Sequence, residues 1–375
     1  MKRLGAIIFV FGAAAIVTVA WGGHELPVYP SFYPHEIEIK TFAPEQAAQA
    51  LRDGKIQAHV GPGLRFAGTL PAEVGTVESL GSFLVIRVNP ASTHAKDEAS
   101  SCSVVGTIIR RLAAQSNFTL HPYPVTPFHG DYLHHADLAA AALARFSDAD
   151  APVADLKVKA RGGLAHSHPD WSAGDADWDA EVAEIDAAGL MASAMFSVNG
   201  WLAPPWVKTG WFHAQRLLAD ALTDPVRKQR AASDLQRLKV SDFTGLVERI
   251  NLERDLVTAL TGDCQNVVAG YTVKREYVNV EFSAGIENIG YDSIAGLHSP
   301  MFIRTVKLKD FPWNGWLALG IDAEPTAAWN PIGGMTDPFG RLIVFAVGDP
   351  ALLPSPYEAG WVLNRIADLP SNPER

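Results

Sequence analysis

Cysteine is nearly absent from this chain, with two among 375 residues, Cys102 and Cys264. That scarcity excludes a disulfide-dense scaffold and any centre needing a cluster of thiolates, and the lack of a Cys-x-x-Cys-His run excludes covalent c-type haem. Charged residues are sparse as well, at 19%, and nowhere do lysine and arginine gather; a formal charge of −10 argues against nucleic acid as a partner and against docking on anionic lipid. Past the first two dozen residues no run of about twenty apolar residues occurs, so the bulk of the chain is expected to be soluble. There is no Gly-x-Ser-x-Gly elbow, no Ser-x-x-Lys paired with Lys-Thr-Gly, no P-loop and no dinucleotide fingerprint, which removes the grounds for naming a reaction. No organic cofactor is expected.

What is present starts with Met1-Lys2-Arg3, followed by Leu4 to Trp21 without a charge. A basic n-region feeding an apolar h-region is the pattern of an export signal or signal anchor. Basic residues stay on the cytoplasmic side, so the rest of the chain is expected across the inner membrane, in the periplasm. Thr18-Val19-Ala20 offers a small-x-small cleavage pattern, whereas Leu4 to Trp21 as a helix would reach roughly 27 Å, a bilayer core. A cleaved signal peptide and a retained anchor over residues 4–21 both stand open. In such a compartment Cys102 and Cys264, 162 positions apart, either form one disulfide or remain two separate thiols.

A hydrophobic content of 48% describes a globular chain with a substantial core. After residues 1–23, residues 24–148 read as an N-terminal α/β lobe, 149–262 as a helix-rich region, and 263–375 as a strand-rich part completing the lobes. His35 to Lys40 alternates polar and apolar, a strand signal. Pro44 suits the first turn of a helix through Arg52, Gly54 suits the position past its end, and Ile56 to Val60 is a second strand running into Gly61-Pro62-Gly63. Strands are also expected over 83–88, 277–282, 302–308, 316–321 and 342–347. Helices are expected over 103–116, 137–146, 179–195, 209–222, 225–238, 242–260 and 357–369. The sum is an α/β protein with two lobes.

The segment from Glu45 to Gly61 (EQAAQALRDGKIQAHVG) resembles the helix–glycine–strand unit of type 2 periplasmic solute-binding proteins, in particular the phosphonate- and sulfonate-binding group. The resemblance implies a bilobed α/β body with a ligand cleft between lobes, and a strand that delivers Gly61 to that cleft.

Three constellations could carry chemistry. His129, His134 and His135 lie close together with Asp131 and Asp137, and His166 and His168 follow after a loop; imidazole with carboxylate suits zinc or copper. The alternative is that an aspartate caps the Ala-rich helix and the histidines only hydrogen-bond. Trp201, Trp206 and Trp313 belong to Trp/Pro-rich windows that form either an apolar wall for a ligand or loop packing. Gly61 and Gly63 admit close approach to the backbone, and Arg341 could supply a polar contact. The leading expectation is a periplasmic protein that binds a small or amphipathic molecule and delivers it to an inner-membrane transporter. The alternatives are an anchored accessory subunit of a membrane complex and a His-rich metal-dependent enzyme or metal carrier.

Overall fold

The alternation at the start of the chain forms strand β1 (Glu36–Thr41), seen in a computed structural model. The structure describes residues 34–364 except 114–117, 148–151, 165–167, 169, 173, 175–176, 193–204, 313–314, 327–334, 336 and 349. Pro44 opens helix α1 (Pro44–Arg52), where its missing N–H costs nothing, and Ala47, Ala48, Ala50 and Leu51 form the buried face. Gly54 follows with φ of 69°. Strand β2 (Ala58–Val60) then leads into Gly61.

The next elements are β3 (Val74–Val88), helix α2 (Glu98–Ala113), β4 (Thr119–Leu120), α3 (Ala136–Ser147), β5 (Val158–Arg161), β6 (Ala180–Asp186) and the short α4 (Ala187–Ala192). Three helices fill the middle: α5 (Gly210–Leu218), α6 (Pro225–Val240) and α7 (Gly245–Thr261). Thr209 and Asp224 cap the first two by accepting hydrogen bonds from the Phe212 and Arg227 amides. The chain returns through β7 (Asn266–Asn279), β8 (Ile286–Glu287), α8 (Pro300–Thr305), β9 (Lys307–Leu308), β10 (Trp316–Ile321), α9 (Pro338–Val347) and a hairpin of β11 (Leu352–Pro354) with β12 (Trp361–Leu363).

One sheet organises the molecule, in the order β1-β10-β2-β7-β3-β6-β5, with β4 beside β7. Strands β1, β10 and β2 run parallel, and β3 and β7 form a long antiparallel ladder from Val74–Asn279 to Arg87–Asn266. The pairing shifts between Leu80 and Phe83 and again between Leu84 and Val85, where irregular register increases twist. On one side of these shifts the ladder flanks β2; on the other it flanks β6. Each half has its own core. Val60, Phe302, Leu319 and Leu342 pack in one, with α1 beneath it, and Phe83, Trp211, Leu256 and Val268 in the other. The result is a two-lobed α/β body, one lobe assembled from both ends of the described chain and the other from its middle. Cys102 on α2 and Cys264 just before β7 are joined by a disulfide within the larger lobe.

Four expected elements differ. Residues 179–195 were expected as helix, yet 180–186 form β6, because Ala180 and Val182 alternate with less buried neighbours and pair on both edges, with β3 and β5. Tertiary pairing overrides the helix preference of Ala and Glu there. Residues 302–308 and 342–347, expected as strands for their aromatic and β-branched content, are largely the helices α8 and α9. Ser299 and Asp337 cap them, accepting from the Met301 and Gly340 amides, and Pro300 and Pro338 occupy the first turns. Within 357–369, expected as a helix, residues 361–363 pair instead as β12 with β11, and residues beyond 364 lie outside the description.

Candidate functional site

Parallel strands expose their carboxyl ends on one rim, and here Thr41, Ile321 and Val60 end β1, β10 and β2 in register. The chain leaves β2 through Gly61-Pro62-Gly63 and β10 through Asp322. Gly61 has φ of 129°, and a Cβ there would lie 2.0 Å from Asp322 Oδ2; one on Gly63 would lie 2.5 Å from Oδ1. Both glycines thus make room for a carboxylate of the protein itself, which accepts a hydrogen bond from the Gly63 amide at 3.3 Å.

Beneath Asp322 lies His59, fully buried, with Nε2 3.5 Å from Oδ1. Neither ring nitrogen makes a well-aligned hydrogen bond among the described residues. Burial depresses the His59 pKa, against the pull of Asp322 and the nearby Gly61 backbone. Glu276, on β7 opposite Val77, is also fully buried. Its carboxylate accepts from the Gly61 amide at 2.9 Å and the Leu297 amide at 2.7 Å, with Lys274 Nζ at 3.7 Å and His298 Nδ1 at 3.6 Å. Burial pushes Glu276 up, and Lys274 and the two amides oppose it. His298 is driven down to about 3, by burial first and then by the charges of Lys274, Arg341 and His59. Phe339, on the same helix as Arg341, lies ring to ring with His298 at 5.0 Å.

The structure therefore brings Gly61, Gly63 and Arg341 to one polar cluster whose other members are His59, Glu276, His298, Lys274 and Asp322. Asp322 is partly accessible, with 26% of its side chain exposed, against 15% for His298 and 14% for Lys274. On the same rim an open depression of about 430 Å³ is lined by Thr41, Phe42, Ile321, Glu324 and Ile343, among others.

The remaining sequence candidates go elsewhere. Trp206 packs in the larger lobe against Trp211 and Phe212, with Lys239 over its ring at 5.6 Å. Trp201, Trp313 and His166 lie outside the described residues. His129 has both ring nitrogens in protein hydrogen bonds: Nδ1 accepts from the Thr126 amide at 2.9 Å, and Nε2 meets His213 Nδ1 at 3.0 Å. His168 stacks on Trp171, in a different core cluster from the one His129 adjoins through Phe83. Asp137 forms a two-pronged ion pair with Arg254. Asp131 holds the start of α5, accepting from the Gly210 amide at 3.0 Å and the Trp211 amide at 3.4 Å. His135 lies beside it, and His134 is half-buried at the edge.

Sequence reasoning missed His59, Glu276, His298 and Asp322. A signal existed for Glu276: it falls on the face of β7 that Val278 also buries, where alternation calls for an apolar residue. His59 likewise interrupts the buried strand Ala58–Val60.

No protein-family profile matches the chain, and no curated protein does. Among solved structures it is similar to NikZ of Campylobacter jejuni in complex with Ni(L-His), at 14% identity and a TM-score of 0.33 over 66% of this chain and 56% of that one. It is similar also to OppA of Haemophilus influenzae in complex with a peptide, at 12% identity and 0.37 over 71% and 56%. A third is the oligopeptide-binding protein AppA of Bacillus subtilis with a nonapeptide, at 12% and 0.37 over 71% and 58%. The alignments span little more than half of those longer chains, and at these TM-scores the likeness assigns neither ligand nor membership to this one. The first of the three holds a nickel complex and the other two hold peptides.

Proposed function

We propose that this chain is a periplasmic ligand-binding protein that delivers a small or amphipathic molecule to an inner-membrane transporter, binding it on the rim formed by Gly61, Gly63, Asp322 and Arg341. One observation carries the reading: a buried set of mixed charge surrounds a partly exposed carboxylate at the carboxyl ends of three parallel strands. Ligands of open α/β sheets sit on that rim. Glu276, held by two amides, fixes the Gly61 turn, and the glycines hold Asp322 at the surface for a ligand that donates hydrogen bonds or carries a cation. The basic and apolar leader supports export, and the acidic surface supports a diffusing partner for small molecules. No catalytic step is assigned.

The test is a thermal-shift screen of the purified chain against oligopeptides, sugars and quaternary amines, followed by solution scattering of any hit. A hit is expected to raise the Tm and shrink the radius of gyration. Asp322→Asn keeps the shape of the side chain and removes the charge, so affinity for a cationic hit is expected to fall about 10- to 100-fold, the worth of a hydrogen bond to a charged group. Gly61→Val, which drives a side chain into Asp322, is expected to abolish the shift. No hit in the panel, or a hit indifferent to both substitutions, would overturn the site.

A further inference from the structure

The chemistry left unused by this reading lies in the other lobe. Asp131 from the loop before α3, His135 at the start of that helix and Glu253 from α7 each direct one ligating atom into a common space, all within 4.8 Å of one another. All three side chains are buried. His135 Nδ1 is engaged by the Tyr123 hydroxyl at 2.9 Å, which leaves Nε2 turned away from it. That Nε2 and Glu253 Oε2 have no hydrogen-bond partner among the described residues, although both residues are at least nine-tenths buried. His134 Nδ1, equally unpartnered, stands 3.9 Å from Glu253 Oε2, and its side chain is 31% exposed.

Buried polar atoms are almost always satisfied, and two orphans in one buried cluster call for a missing partner. We propose that Asp131, His135 and Glu253, with His134 as the fourth donor at the solvent edge, bind one divalent first-row metal ion, zinc in the first instance.

Two carboxylate oxygens and two imidazole nitrogens suit zinc, which binds such atoms at about 2.0–2.2 Å in a tetrahedron. The supports around them are those of a held ligand set. The α5 amides anchor Asp131, Arg249 Nε lies 3.4 Å from Glu253 Oε1, and Tyr123 can accept the Nδ1 proton of His135, fixing the tautomer that presents Nε2. A dication also offsets the charge of two buried carboxylates, of which Glu253 has Arg249 as its ion-pair partner. The histidines singled out from sequence divide accordingly: His134 and His135 belong to the site, while His129 is occupied by Thr126 and His213 and His168 stacks on Trp171. The site shares no residue with the Gly61 rim, so it stands or falls separately from the ligand-binding reading.

The test strips the full chain with a chelator, removes the chelator, and titrates with Zn²⁺ against a chromophoric competitor, then with Co²⁺ followed by visible absorption. One equivalent of tight zinc, a rise in Tm and the intense ligand-field bands of four-coordinate cobalt are expected. Glu253→Gln and His135→Asn should each weaken binding by at least about 100-fold, and Tyr123→Phe by about 10-fold, as befits a ligand's support. His166→Ala should change nothing. Binding below one equivalent, cobalt bands of six-coordinate type, or zinc lost on His166→Ala and kept in Glu253→Gln would each overturn the proposal. If the two ligand variants fail to fold, the stoichiometry and cobalt spectrum of the unsubstituted chain decide it.

Discussion

Lowering the pH from 7 to 5 is expected to remove about 4 kcal/mol of folding stability through two histidines alone, His213 and His298. Burial holds His213 at about 4 and His298 at about 3 in the folded chain, against about 6.5 for an exposed imidazole. Because the folded values are depressed, the stability they contribute is present above pH 6.5 and is lost as the pH falls towards them. At pH 5 the unfolded chain protonates these rings and the folded chain does not, a difference of about 2 kcal/mol each. His59 and His121, also lowered by burial, act in the same direction. The buried carboxyls Asp131 and Glu276, raised by burial, offset part of the loss, and within the Asp131–His135–Glu253 cluster the raised Glu253 and depressed His135 largely cancel. Against a total stability of roughly 5–15 kcal/mol the remainder is large. Urea titrations at the two pH values measure it, and His213→Asn should shrink the difference by about 2 kcal/mol. An unchanged difference in that variant would show that His213 is not held neutral.

Much of the fold was legible because local signals and tertiary needs agreed. Pro44 and Gly54 mark the two ends of α1, and Thr209 and Pro225 the starts of α5 and α6, since capping and backbone restriction act within a few residues. The α/β class followed from the alternation at His35–Lys40 and the helical middle. Disagreement arose where composition competes with punctuation. Leu342 to Val347 reads as a strand by content, yet Asp337-Pro338 before it is a helix start, and Leu342 and Phe345 are buried at helical spacing. For Ala180–Asp186 no local signal competes with the helical composition; pairing with β3 and β5, both distant in sequence, decides it.

The site divides in the same way. The Gly61 turn was visible because a strand entering Gly-Pro-Gly has few uses, and Arg341 because it follows a turn-rich stretch. What those glycines face was not visible. Asp322 is 261 residues from Gly61, and its approach depends on β10 inserting between β1 and β2, a crossover that no local pattern encodes. The histidine run before α3 was conspicuous, but the metal site proposed for it depends on Glu253, more than a hundred residues away on a helix where a single buried glutamate looks like any surface one.

Removing the disulfide between Cys102 and Cys264 is expected to cost about 5 kcal/mol if loop closure in the unfolded chain is the whole effect, since the bond spans 162 residues. Native-state packing argues for little relief on the folded side. Cys264 is fully buried among Ile108, Leu112 and Val267, while α2 and β7 are held in the same core by many other contacts. The folded lobe therefore keeps its shape when the bond is cut, and the gain in freedom falls on the unfolded chain. Cys102→Ala with Cys264→Ala is the cleaner variant, because serine would bury an unpaired hydroxyl at Cys264. Equilibrium urea unfolding of the double variant should show a lower midpoint with a slightly steeper dependence, as the unfolded chain expands. The same loss should follow from reducing the unsubstituted chain. A change under about 1 kcal/mol would mean that the unfolded ensemble already keeps α2 beside β7. Disulfides form mainly in oxidising compartments, which is where the proposed export through Met1 to Trp21 would deliver the chain. Protein purified from the periplasmic fraction should therefore show no free thiol, and two would sink the proposed location along with the stability estimate.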